Sequence, residues 1–254
     1  MRPYMLAENN WKSIHDHQIE LVILPWGATE AHNYHLPYAT DNIQNEYIAA
    51  EAAGKAWKKG AKIIVLPNIP FGVNTGQADI KLNINILPTT QLSILMDIVE
   101  VLNRQGIKKL MVLNGHGGND FKPLLRELGY KFPEMFITLC NWYQALDLNA
   151  YFDKKNCNHA GEMETSVMMS IAPESVLTLE IAGDGTEKLS SIKAIKEGWA
   201  WAERRWSQVT SDTGIGNPKN ASKEKGEKFL HDLTDKLAEL FVDLANADLK
   251  KLYE

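Results

Sequence analysis

Apolar residues gather along this chain in short unbroken runs, separated by longer stretches where they recur at helical spacing. Four runs read as strands: 20–25 (ELVILP), 61–67 (AKIIVLP), 108–114 (KKLMVLN) and 134–141 (EMFITLCN). They are rich in Val, Ile and Leu, lack polar alternation, and are bounded by Pro, Gly or Asn. Strands covered on both faces, as in a parallel sheet, carry that pattern. Helical patterns lie between them. One covers 41–60 and stops at Gly60; a second covers 88–106, opened by Pro88 and closed at Gly106. A third covers 119–132, its start blurred by Pro123. The alternation predicts an α/β fold with a doubly wound, mainly parallel sheet flanked by helices.

The second half is less regular. Residues 161–173 read as a helix stopped by Pro173, and 183–220 predict irregular excursions rich in Gly, Ser, Thr and Lys. Residues 222–253 predict a long amphipathic helix whose stripe includes Phe229, Leu233, Leu237, Leu240, Phe241 and Leu244. No repeat or linker interrupts the chain, so 1–254 is expected to form a single domain.

Composition works by exclusion. With 254 residues, 44% hydrophobic and 23% charged, the chain is ordinary for a globular protein. A net charge of −5 without a basic stripe argues against a nucleic-acid partner. No apolar run approaches a membrane span, and the first residues lack the apolar stretch of a signal peptide. Cys140 and Cys157 form neither a metal spacing nor a disulfide framework. A cytoplasmic protein with no membrane partner is expected.

Candidate chemistry collects at three places. The stretch LPWGATEAHNYHLPYATD (24–41) leaves the first strand and carries Glu30, His32, His35 and Asp41. In an open α/β sheet, ligands sit beyond the carboxyl ends of strands. If 29–32 is extended, Glu30 and His32 project to one side. Carboxylates and imidazoles without thiolate suit Zn²⁺, Mn²⁺ or Fe²⁺. Asp41 also stands where a helix begins, so a capping role competes. The second place, VLNGHGGND (112–120), sets His116 among glycines that permit close backbone approach. It lacks the features of phosphate and dinucleotide loops. The third, NHAGEMETSVMM (158–169), supplies His159, Glu162 and Glu164. Glu164 shares a helical stripe with Val167, Met168 and Ile171, and a carboxylate on a core-facing stripe needs a strong partner. Glu162 falls on another face, where a first-turn acid is favoured by the helix dipole. His159 precedes the helix and is free to act as acid or base.

Together these motifs resemble the creatininase family of metal-dependent amidohydrolases. That family's pattern is close to LPxGSTExHGPHLPLxTD, NGHGGN and HAGExETS; TGIGNPKNASKEKG (213–226) is similar to a fourth family segment. The resemblance implies two divalent metal ions, zinc foremost, with manganese or iron as alternatives. It implies Glu30 and His116 on one metal, His32 and Glu164 on the other, and Asp41 bridging. It casts His159 as proton donor to the leaving nitrogen, and His35 and Glu162 as further catalytic or substrate-contact candidates. The implied activity is hydrolysis of a non-peptide C–N bond, in a small cyclic amide such as creatinine. A metallopeptidase or deformylase of the same family, or a silent binding protein with this fold, are the alternatives.

The family often forms hexamers, so a homo-oligomer is expected, and the aromatics of GWAWAERRW (198–206) are candidates for an interface or a core. The chain departs from the pattern at Asn33-Tyr34, where the family has Gly-Pro. It lacks the turn GTIS before the second helix. At Gly118 creatininase proper carries a metal-ligating glutamate, a role that Glu164 is expected to take here.

Overall fold

Four parallel strands form one sheet in the order β2–β1–β3–β4: β1 Leu21–Trp26, β2 Ile63–Val65, β3 Lys109–Asn114 and β4 Phe136–Asn141. The computed structural model describes residues 1–253. Val22 lies opposite Leu110, and Lys109 opposite Phe136. Every residue of β1 and β3 is buried, which is why their sequence shows no polar alternation. Even Lys109 is buried; its Nζ donates to Ala245 O at 2.7 Å.

Five longer helices pack on the sheet: α1 Thr40–Lys58, α2 Pro88–Arg104, α3 Lys122–Lys131, α4 Glu162–Ile171 and α5 Lys223–Asn246. Successive strand side chains point to opposite faces, and each face has its own core. Leu21, Ile23, Met111 and Leu113 meet Ile48 of α1, Val167 of α4 and Phe229 of α5. Val22, Leu24, Leu110 and Val112 meet Leu95 of α2 and Leu124 of α3. Burying one such side chain contributes roughly 1.5–3 kcal/mol, so the two cores specify the winding more strongly than any local propensity.

The chain runs from β1 through α1 to β2, then returns through α2 to β3 on the other side of β1. Connections leaving the neighbours β1 and β3 therefore diverge and open a crevice at their carboxyl ends. All three chemical motifs lead there.

Element ends differ from the expected ones for local reasons. β2 is shorter than 61–67, since Pro67 has no N–H for a ladder. α3 begins at Lys122 with Pro123 in its first turn, where a missing N–H costs nothing. α5 stops at Asn246 because the residues beyond have no core to face; Tyr253 is fully solvent-facing. The seam between α4 and α5 is very close. A Cβ on Gly226 would stand 2.0 Å from Ser166 O, so only glycine lets the helices meet. Among the described residues, no helix is long and apolar enough to cross a membrane.

Candidate metal centre

After β1 the backbone enters the crevice, and Glu30, His32 and Asp41 follow, all buried. After β3 the loop of Gly115 and His116 arrives from the neighbouring strand, and the first turn of α4 brings Glu164, with His159 just before it. Asp41 lies at the middle. Its Oδ2 is 3.0 Å from His116 Nδ1, and its Oδ1 is 3.0 Å from His32 Nε2. Glu30 Oε1 lies 2.9 Å from His116 Nδ1, 3.5 Å from His159 Nδ1 and 3.9 Å from His32 Nε2. Glu164 Oε2 is 3.8 Å from His32 Nε2. Three triads arise, each with donor atoms within 4.8 Å of one another: Glu30–Asp41–His116, His32–Asp41–Glu164 and Glu30–His32–His159.

The outer nitrogens of the three imidazoles explain what these triads lack. His32 Nδ1 is 3.1 Å from Glu30 O, His116 Nε2 is 3.0 Å from Val73 O, and His159 Nε2 is 2.8 Å from Ala31 O. A carbonyl only accepts, so each outer nitrogen carries the hydrogen. In a neutral ring the inward nitrogen is then a bare lone pair, facing carboxylate oxygens. That arrangement is repulsive unless a cation sits between, either a second proton or a metal ion. Asp41 Oδ2 carries the same demand, being buried without a well-directed hydrogen bond. Ligands about 2.1 Å from a common ion lie roughly 3.0–3.4 Å apart, close to the spacings here. The residues thus fit a divalent cation of the zinc, manganese or iron type.

Without such an ion, protons fill the role. Burial disfavours charge on His32, but Asp41, Glu164 and Glu30 outweigh it and push its pKa up to about 10. Burial likewise opposes His116, and Glu30 and Asp41 raise it well above the usual imidazole range. Glu30 and Asp41 would be raised by burial, yet the facing imidazoles hold both below the ordinary carboxylate range. Glu164 behaves differently: burial, opposed by His32 and aided by Asp41, lifts it to about 7. His159 is pushed down to about 4 by burial, which Glu30 only partly offsets. One constellation therefore holds groups of opposed protonation behaviour, a mark of functional sites.

A cavity of about 420 Å³ opens onto the centre, walled by Asn74, Gly76, Tyr143, Trp201, Arg204 and Trp206. His159 stands on this wall, with its ring 4.2 Å from that of His32 and edge-on to Trp206 at 5.4 Å. Of the GWAWAERRW aromatics, Trp206 is buried, while Trp199 and Trp201 are 75% and 82% exposed.

Two expected site residues fall outside. Glu162 has no place in the cavity. Its Oε1 accepts from Lys225 Nζ at 2.5 Å and its Oε2 from Asp153 N at 3.0 Å, so it ties α4 to α5 and to the preceding loop. The structure does not bring Glu162 to the cavity with the other expected residues. His35 is also held apart from the cavity. Its Nε2 lies 2.9 Å from Thr165 Oγ1, and the ring is buried away from the cavity. Burial, then the charge of His32, pushes its pKa down to about 4.

Other residues were passed over in the sequence. Gln77 Nε2 donates to Glu30 Oε2, and Asn83 Nδ2 donates to Gln77 Oε1. Asn114 and Asn119 brace the His116 loop: Asn114 Oδ1 accepts from His116 N and Asn119 Nδ2, while Asn119 Oδ1 accepts from Val73 N and Gln91 Nε2. The two asparagines stand in the NGHGGN motif and were a visible signal; Gln77 and Gln91 carried none. Ala160 holds φ +54, a strained conformation of order 1–3 kcal/mol, while its N–H donates to Glu164 Oε2 at 2.6 Å.

The departures from the family pattern also gain reasons. A Cβ on Gly118 would sit 2.4 Å from both His116 Nε2 and Val73 O, so a glutamate there is incompatible with this setting of His116. Asn33 adopts φ +56, which asparagine tolerates, and its side chain bonds both N and O of Gly183. Tyr34 Oη donates to Ser211 O. These two residues clasp the excursion that brings Trp201, Arg204 and Trp206 to the cavity.

Comparison with known proteins identifies the family and fold. Residues 7–241 match the model of a family described as creatinine amidohydrolase, or creatininase. The chain is 26% identical over 245 residues to the mycofactocin precursor peptide peptidase of Mycolicibacterium smegmatis, covering 93% of this chain and 90% of that one. Among solved structures, a Bacteroides fragilis protein provisionally called a creatinine amidohydrolase is 42% identical, with a TM-score of 0.93 and full coverage of both chains. A manganese form of creatininase has a TM-score of 0.79 at 19% identity, covering 96% of this chain and 99% of that one, a likeness of fold alone.

Proposed function

Because this chain belongs to the creatininase family, a family of hydrolases, we propose that it hydrolyses an amide C–N bond with two divalent cations, zinc foremost. Glu30 and His116 would hold one ion and His32 and Glu164 the other, with Asp41 between them. The observation that carries this reading is Asp41, whose two oxygens each face a different imidazole at 3.0 Å. When bound, the ions supply Lewis acidity and lower the pKa of a water molecule.

The chain's own residues do the rest. The cavity holds the amide beside the centre. His159 is neutral near pH 7, and its Nε2–H is anchored on Ala31 O, so Nδ1 is free to accept the proton of the attacking water. Glu30 Oε1, 3.5 Å away, stabilises the imidazolium that results. The water oxygen bonds to the carbonyl carbon, the C–N bond breaks, and His159 returns the proton to the departing nitrogen.

A small cyclic amide such as creatinine is the first substrate reading. A short peptide is the second, favoured by the cavity of about 420 Å³ and its exposed Trp201 rim, which exceed the needs of one small ring. The relative named as a peptide peptidase points the same way. Homo-oligomer formation belongs to the same proposal, since Trp199 and Trp201 offer apolar surface, and light scattering tests it.

The deciding experiment is metal content per chain by elemental analysis, wild type beside Asp41→Ala, followed by turnover of creatinine, related lactams and short peptides. About two ions per wild-type chain, lost in Asp41→Ala, is the expected result. A wild type that binds no zinc, manganese or iron overturns the reading.

A further inference from the structure

Tyr143 stands on the cavity wall and has no part in the chemistry so far. Its position follows from the end of β4. The strand finishes at Asn141, and Trp142–Gln144 make one tight turn at the carboxyl edge of the sheet. Trp142 turns into the core. Tyr143 packs edge-on against it, with ring centroids 5.8 Å apart, and is only partly exposed.

Among the described residues, the Tyr143 hydroxyl has no hydrogen-bond partner. Tyrosine hydroxyls that are largely buried usually find a partner. Tyr34 and Tyr38, both more exposed, donate to Ser211 O and Lys81 O. The Tyr143 hydroxyl is not among the fully buried, unpartnered atoms, and the residue lines the cavity. Burial pushes its pKa up to about 12, and the charges of Asp41 and Glu164 act in the same direction. Bound cations would offset the carboxylates' share and leave that of burial. The group is therefore a neutral O–H donor on the lining of the cavity that Glu164 and Asp41 also line.

We infer that Tyr143 donates a hydrogen bond to the oxyanion that forms when the amide carbonyl is attacked. The inference rests on the amide-hydrolase reading above and adds a catalytic residue to it. A fixed donor aimed at developing charge is worth about 10²–10³ in kcat, because it is in place before the charge appears. A tyrosine that merely packs would be replaceable by phenylalanine without kinetic consequence.

Tyr143→Phe tests this in the metal-loaded protein, with the amide that the wild type turns over and with inorganic phosphate as a tetrahedral anion probe. The variant is expected to keep wild-type metal content and melting temperature. Its kcat should fall on the order of 10²-fold with KM changed only slightly, and calorimetric titration should show phosphate binding about tenfold weaker. An unchanged kcat, a loss confined to KM, or equal phosphate affinity in the two proteins overturns the inference. The failures are separable. A wild type that hydrolyses no amide defeats the functional reading, while phosphate affinity still decides whether Tyr143 is a donor to an anion at the centre.

Discussion

Glu162 and Glu164 stand two positions apart in the first turn of α4, one facing the α5 seam and the other the sheet edge. Glu162 is fully buried, and the Glu164 side chain keeps 14% exposure. At the seam, Glu162 receives Lys225 Nζ and a main-chain N–H, so the protein supplies its counter-charge and its hydrogen bonds. At the edge, Glu164 receives one N–H from Ala160 and otherwise faces His32 across 3.8 Å, with Asp41 beyond. Its carboxyl is raised to about 7, chiefly by burial. A buried charge that the fold satisfies is architecture. A buried charge left wanting a cation, beside others in the same condition, is a site.

The sharpest way to break the comparison is to neutralise each glutamate in turn. Glu164→Gln should lose one of the two ions and drop turnover to background, with melting close to that of the metal-free wild type. Elemental analysis and an activity assay check it; a variant that keeps both ions removes Glu164 from the ligand set. His159→Gln should come next in size. It should keep both ions and lose roughly 10²–10⁴ in kcat, the usual worth of a positioned acid–base group. Full activity in that variant would dismiss His159 as the proton carrier.

The same contrast separates what was legible in the sequence from what was not. The four strands, the winding and the six residues that converge were readable, because continuous apolar runs and ligand-type side chains at strand ends are local signals. Glu162 stands apart from the six for a physical reason. Its motif neighbours suggested chemistry, but its fate depends on Lys225, 63 positions away, through a seam that Gly226 makes possible. His35 is held apart in the same way, through Thr165. Gln77 was invisible because nothing near it in sequence announces Glu30. Long-range partners, rather than residue types, decided each case.

Proton occupancy gives a third test, of intermediate size. In the metal-free protein His32 titrates near 10, since burial is outweighed by Asp41, Glu164 and Glu30. A pKa raised above the unfolded value of about 6.5 contributes stability that is complete below that pH and lost as pH rises through 10. His116 shifts in the same direction. His159, depressed to about 4, has the opposite sign, but its contribution is fully gained by about pH 6.5. Melting temperature of the metal-free protein should therefore fall from pH 6.5 to 10. The metal-loaded protein should resist that fall, because ions replace the protons. A metal-free melting temperature that holds or rises across this range contradicts the account of the centre.

The smallest effect belongs to the seam, and it completes the contrast. Glu162→Gln keeps the shape and an acceptor for Asp153 N but removes the negative charge facing Lys225. A fully buried pair loses about 3–5 kcal/mol when one partner is removed. Lys225 is 38% exposed, so water recovers much of that, and the retained hydrogen bond recovers more. The expected loss is about 1–2 kcal/mol in denaturant unfolding, with metal content and kcat unchanged. That outcome would place the two glutamates in separate roles by measurement. A fall in metal content with intact stability would instead mean that the seam helps to hold the centre, and the division between architecture and site would move from Glu162 to α5.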